Sequence, residues 1–276
     1  HDIEYFFYNG GGDSQDTTFK VSEMAKKLKF PLKCVGIPKT VDNDLPYTDC
    51  SPGFGSVAKY IATSTLEAGL DVKSMAETST KVFILEVMGR HAGWIAAASC
   101  LAATKADDPP HIILLPEVPF EKTKFITQVK QTVKEQGYCV IVASEGAQTK
   151  NGKFLADSGL TDAFGHKQLG GVAPVLAGMI SKIGLKNHWA VADYLQRSAR
   201  HIASKTDLDQ AYAVGEHAVK LAIAGKTAVM PIIKRTNDSP YRWKIATAPL
   251  KNVANIEKTM PKKFISKNGF EITQAG

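Results

Sequence analysis

Short runs of β-branched and aromatic residues alternate with longer amphipathic stretches along most of the chain. The pattern predicts strands at 3–8, 32–37, 81–87, 111–115 and 138–143, with helices at 16–29, 53–69, 91–105 and 121–136. Farther on, 171–184 and 207–224 read as helices and 188–192 and 227–233 as strands, while the tail beyond about 249 is less regular. Such alternation implies βαβ units and an α/β fold of mainly parallel sheets flanked by helices. Ligands of open α/β sheets gather at the carboxyl ends of strands. The loops after 3–8, 32–37, 81–87, 111–115 and 188–192 are therefore where chemistry is expected. Gly, Pro, Asp and Asn cluster most densely at 36–53 and 144–170.

Composition narrows the class. The chain has 276 residues, 44% hydrophobic and 22% charged, enough for one large core or two modest ones. No run approaches the roughly 18–20 apolar residues of a membrane span, and the N-terminus lacks a signal-peptide pattern, so a cytoplasmic protein without a membrane partner is expected. The net charge is +7, but Lys and Arg are dispersed, without long basic runs or interleaved aromatics. Phosphorylated small molecules fit that dispersion better than nucleic acid does. Cys34, Cys50, Cys100 and Cys139 are widely spaced with no CxxC pair, which implies reduced thiols rather than a zinc site or disulfide framework. The first residues lead at once into the apolar run Ile3–Tyr8 without a Met, and a segment upstream of residue 1 is expected.

The first loop reads Asn9-Gly10-Gly11-Gly12-Asp13-Ser14. Glycines after a strand let backbone N–H groups approach a phosphate, and a following helix N-terminus attracts anions. The alternative is a tight turn with Asp13, Ser14 or Asp16 as helix cap. The loop is neither GxxxxGK[ST] nor GxGxxG. The second loop, Gly36-Ile37-Pro38-Lys39-Thr40-Val41-Asp42-Asn43-Asp44, sets two carboxylates beside a lysine and a threonine. Phosphoryl transfer needs a group that accepts a hydroxyl proton and cations that neutralise the moving phosphoryl. Asp42 can take the proton, Asp44 can orient it and Lys39 can hold phosphate. An Asx-rich turn or a calcium-like loop is the alternative.

PKTVDND at 38–44, after the glycine-rich loop, resembles the signature of the 6-phosphofructokinase family. Three further segments resemble that family in order: Glu86-Val87-Met88-Gly89-Arg90, Pro116-Glu117 and Tyr194-Leu195-Gln196-Arg197-Ser198. The resemblance implies a two-lobed phosphofructokinase-like fold and transfer of a phosphoryl group to the 1-hydroxyl of fructose 6-phosphate, a step of glycolysis or gluconeogenesis. It implies that Asp42 is the catalytic base with Lys39 beside it, and that Thr40 and Asp44 line the site. Met88, Gly89 and Arg90 then contact the sugar phosphate, Glu117 accepts from sugar hydroxyls, and Tyr194 and Arg197 grip the 6-phosphate. Lys81 corresponds to a basic residue that reaches a neighbouring subunit's 6-phosphate, implying a homodimer or homotetramer with shared active sites. Gly11, Gly12, Asp13 and Ser14 fall in the donor loop. Mg2+ is the implied cofactor. The family's usual metal aspartate aligns with Gly12, leaving Asp13 as the candidate ligand. The family's upstream GGxxPG loop has no counterpart here.

Asp13 together with Lys39 resembles the pyrophosphate-dependent branch of the family, where ATP users carry glycine at both positions. A carboxylate where a nucleotide α-phosphate would lie repels it, and a lysine stabilises a small inorganic donor. ATP-dependent transfer and a non-catalytic sugar-phosphate-binding subunit are the competing readings. The expected lobes are 1–52 with 197–248 for the donor and 53–196 with 249–276 for fructose 6-phosphate.

Overall fold

A computed structural model describes residues 1–105, 107–157 and 171–276, so the part 158–170 of the Gly-rich stretch expected at 144–170 lies outside the described residues. The chain forms two compact units, His1–Ser56 with Ala203–Lys258 and Val57–Ile202 with Thr259–Gly276. No described helix is long and apolar enough to cross a membrane.

In the first unit, β1 (Tyr5–Gly10), β2 (Lys33–Pro38), β7 (Val229–Asn237) and β8 (Arg242–Pro249) form one sheet in the order β1-β2-β7-β8. The first three strands run parallel and β8 returns antiparallel. Helix α1 (Gly12–Lys27) follows β1, and α7 (Lys205–Ile223) packs Ala218 and Ala222 against Val35 of β2. Strand β8 was not expected. Its alternation of Arg242 and Lys244 with Trp243 and Ile245 carries the period-2 signal of a half-buried strand.

Residues 249–258 stay in this unit because Leu250 and Val253 join a buried cluster with Leu45, Met230 and Ile232. Residues 53–56 are held to it by Asp207 in the first turn of α7. The Asp207 carboxylate accepts from Gly53 N (2.8 Å), Ser56 N (3.1 Å) and Ser56 Oγ (2.5 Å), capping α2 (Phe54–Met75). The divisions between the units fall at 56/57, 202/203 and 258/259.

In the second unit, β3 (Val82–Val87), β4 (Ile112–Leu114), β5 (Cys139–Ser144) and β6 (Asn187–Val191) form an all-parallel sheet in the order β4-β5-β3-β6. Strand β5 is buried at every position, as a central parallel strand covered on both faces should be. Helix α4 (Lys122–Gln136) buries Phe125 and Val129 in the core with α5 (Val172–Ser181), each large apolar side chain contributing about 1.5–3 kcal/mol. Gly137, at φ +84°, closes α4. Glu86, at the end of β3, is buried and accepts from Gly171 N (2.9 Å) and Ala173 N (2.8 Å), capping α5.

The helix expected at 91–105 is only α3 (Trp94–Ala98) followed by a 3₁₀ turn, Ser99–Ala102. Asp108 captures the backbone N–H groups of Thr104 and Lys105 and the Thr104 hydroxyl, a local arrangement that competes with helix. A four-residue helix, α6 (Leu195–Ser198), follows β6.

Candidate functional site

The first unit sets the two conspicuous loops side by side. Strands β1 and β2 pair in register to their ends, Gly10 opposite Pro38, and Lys39 N donates to Gly10 O at 3.1 Å. Residues 11–14 and 39–44 therefore leave the same edge of one sheet. Helix α1 begins at Gly12, earlier than the expected residue 16, with Gly11 as N-cap and no side-chain cap. Asp13 and Ser14 are accordingly in the first turn, and neither they nor Asp16 cap it. The first-turn N–H groups of Gly12, Asp13 and Ser14 have no intrahelical acceptor and carry the positive end of the helix dipole. A Cβ at Gly10 would stand 2.0 Å from Ser14 Oγ, so only glycine fits there. Gly11 rests against Thr40, and Gly12 faces open space. The Asp13 side chain is exposed.

In the second loop, Thr40 is buried and its Oγ1 accepts from Asp42 N at 3.1 Å, which fixes the backbone that carries Asp42. Asn43 adopts a left-handed conformation (φ +55°), and its Oδ1 accepts from Ser51 N at 3.0 Å. Lys39 is exposed, and Asp42 and Asp44 are half-buried. The structure thus brings Gly11, Gly12, Asp13 and Ser14 together with Lys39, Thr40, Asp42 and Asp44.

The second unit assembles another set at the carboxyl edge of its sheet. Met88, Gly89 and Arg90 follow β3. Gly89 has φ +126° and a Cβ there would lie 2.7 Å from Ala92 O, so it is a required glycine. Its N–H donates to Glu145 Oε1 (3.3 Å), and its carbonyl accepts from Ser144 Oγ (2.5 Å). Burial pushes the Glu145 carboxyl above its ordinary range, with Arg90 acting in the opposite direction. Arg90 Nε is buried with no partner among the described residues. Glu117 Oε1 accepts from Gly93 N (3.0 Å) and Met260 N (2.9 Å), while its Oε2 is buried with no partner among the described residues.

The Arg197 guanidinium stacks 3.8 Å from the centroid of the exposed Tyr194 ring. Gln196 ties this turn to the Met88 loop, accepting from Met88 N at 3.3 Å and donating to Asp193 O at 2.9 Å. Lys81 is not among these residues. It precedes β3, at the opposite end from Met88, and its Nζ donates to Ala76 O after α2.

Four supporting residues escaped the sequence reading. Gln15, Glu145, Gln196 and Lys258 hold loop backbone rather than presenting themselves to a ligand. Only Gln196 had a sequence signal, since it sits inside the YLQR segment.

The profile of the family described as Phosphofructokinase matches residues 1–222. The chain belongs to the phosphofructokinase family. It is 66% identical over 275 residues to the pyrophosphate--fructose 6-phosphate 1-phosphotransferase of Halomonas elongata and 61% identical over 276 residues to that of Methylococcus capsulatus, covering 99% and 100% of this chain. A crystal structure of the pyrophosphate-dependent phosphofructokinase of Marinobacter aquaeolei superimposes with a TM-score of 0.89 at 62% identity over 100% of this chain. The chain spans 66% of the length of each of these relatives. The expected phosphofructokinase-like α/β fold with mainly parallel sheets is borne out.

The four cysteines of this phosphofructokinase chain are free. Burial pushes the thiols of Cys34, Cys100 and Cys139 above their ordinary range and that of Cys50 up to about 11, so they remain protonated at neutral pH. Among the described residues, no group of three or more His, Cys, Asp or Glu is placed to hold a metal ion.

Proposed function

We propose that the full protein transfers a phosphoryl group from pyrophosphate to the 1-hydroxyl of D-fructose 6-phosphate, giving fructose 1,6-bisphosphate and orthophosphate. The observation that carries this reading is the pairing of a glycine-rich helix start with the Thr40-fixed Asp42 loop on one sheet edge. The names of the Halomonas and Methylococcus relatives support the donor and acceptor.

In the first unit, the N–H groups at the start of α1 and the Lys39 ammonium bind donor oxygens. Asp13 places negative charge where a nucleotide would need none. Asp42 takes the proton of the sugar 1-hydroxyl as the new O–P bond forms and the bridging P–O bond of pyrophosphate breaks, releasing orthophosphate. Thr40 and Asp44 line the site. In the second unit, Arg90 holds the phosphosugar with Met88 and Gly89 in contact beside it, Glu117 Oε2 accepts from its hydroxyls, and Tyr194 with Arg197 grips the 6-phosphate.

Mg2+ ordinarily binds through one or two carboxylates together with substrate phosphates. The exposed Asp13 beside a phosphate-binding helix start fits that donor set, and the bound ion would neutralise charge on the donor oxygens. On this reading the protein is a homodimer or homotetramer in which Lys81 serves a neighbouring subunit's site, as the family resemblance implies. The enzyme acts in the cytoplasm on this reading.

Asp42→Ser in the full-length protein tests the base. Turnover is expected to fall by about 10²–10⁴-fold, the usual contribution of a positioned base, with both substrates still bound. Near-normal turnover would remove Asp42 from that role.

A further inference from the structure

Lys258 lies far from the glycine-rich and carboxylate motifs in sequence, yet it is built into the turn that follows Asp42. Its Nζ is largely buried and donates to Thr48 O (2.9 Å), Asp49 O (3.0 Å) and Asn43 Oδ1 (3.1 Å). Its backbone N–H donates to Asp44 O at 2.6 Å. One residue thereby grips the turn 43–49 at four points, three of them with the donors of a single ammonium.

That turn needs holding. Asn43 (φ +55°) and Tyr47 (φ +68°) both occupy the left-handed region without being glycine, routine for an asparagine but uncommon for a bulky tyrosine, whose surroundings must hold it there. Asn43 Oδ1 is shared between Ser51 N and Lys258 Nζ, so the residue between the two aspartates is fixed from both ends of the turn. A buried ammonium is costly unless it is fully hydrogen-bonded, and here its donors go to turn acceptors. Burial pushes the Lys258 ammonium down to about 8, with Cys50, Asp49 and Asp44 acting in the opposite direction. Arg235 and Tyr241 satisfy the Asp49 carboxylate from β7 and the β7–β8 turn (3.0 Å and 2.9 Å), leaving the Asp49 carbonyl to Lys258.

We propose that Lys258 is a positioning residue for phosphoryl transfer: its ammonium locks the 43–49 turn so that Asp42 and Asp44 are held in the geometry the reaction requires. This rests on the proposed function above. Its effect falls on the reacting geometry rather than on the binding of either substrate.

The test compares wild-type full-length protein with Lys258→Met, which keeps the stem and removes every side-chain donor, and Lys258→Gln, which restores two. Steady-state kinetics are measured with pyrophosphate, fructose 6-phosphate and Mg2+, at a temperature where circular dichroism shows each variant folded. The expected result is a kcat lowered about 10- to 100-fold in Lys258→Met, as for a small displacement of catalytic groups, with each KM within about threefold of wild type and Lys258→Gln between the two. A folded variant with unchanged kcat overturns the proposal, as does a loss confined to KM. If Lys258→Met does not fold, Lys258→Gln decides on the same criteria. An inactive wild type would instead sink the proposed function itself.

Discussion

Gln15 and Gly36 are fitted so closely that a Cβ at Gly36 would stand 1.9 Å from Gln15 Oε1. The Gln15 amide donates to Gly10 O at 2.9 Å and Ile37 O at 3.1 Å, so it sets the spacing between the ends of β1 and β2 and between the loops that leave them. Gly36→Ala would displace the amide and strip a buried carbonyl of its donor. Overpacking of this kind costs about 1–3 kcal/mol, measurable as a lowered denaturant midpoint. An unchanged midpoint would mean that Gln15 repacks without loss and does not set the loop spacing.

Gly146 plays the corresponding part in the second unit. A Cβ there would lie 2.0 Å from Arg90 O and 2.6 Å from Gly89 O, both backbone atoms. Gly146→Ala should push the Gly89–Arg90 segment away from Ser144 and Glu145. The expected outcome is a KM for fructose 6-phosphate raised about tenfold or more by the misplaced arginine, with the KM for pyrophosphate little changed. Equal losses for both substrates would contradict the assignment of this loop to the sugar.

His111 makes the second unit sensitive to acid. Its Nδ1 accepts from Val140 N at 2.9 Å, its ring packs edge-on against Tyr138, and burial pushes its pKa down to about 4 despite nearby Asp107 and Asp108. The folded state therefore keeps the imidazole neutral while the unfolded chain, titrating near 6.5, takes up a proton first. Stability from this group is complete above pH 6.5 and is lost as pH falls from 6.5 towards 4, at no more than about 1.4 kcal/mol per pH unit. His111→Gln should flatten the slope of unfolding free energy across that window by up to one proton. An unaltered slope would show that His111 titrates alike in both states.

The all-parallel sheet of the second unit was legible because its central strands are uninterrupted apolar runs such as Val82–Leu85 and Val140–Ala143, which have few alternatives. The loops that carry Asp42 and Arg90 were legible for a different reason: glycines, prolines and charges concentrate at strand ends. Local competition was harder to read. Asp108 halts the helix after Ala102 through three hydrogen bonds, and nothing in the Ala-rich stretch 96–103 announces it. The least legible features join distant segments. Lys258 reaching Asn43, and Gln15 bridging two carbonyls, depend on tertiary approach that no local pattern encodes.

Donor choice is expected to respond to Asp13. Replacing that exposed carboxylate with glycine removes the charge proposed to repel a nucleotide. Asp13→Gly in the full-length protein should bind ATP measurably by calorimetry where the wild type does not. No gain in ATP binding would take Asp13 out of the donor argument.

The central claim is tested most directly by following fructose 1,6-bisphosphate formation in the full-length protein supplied with fructose 6-phosphate and Mg2+, with pyrophosphate and ATP offered in parallel reactions. The account predicts turnover with pyrophosphate alone. Turnover with ATP alone, or with neither donor, would contradict it.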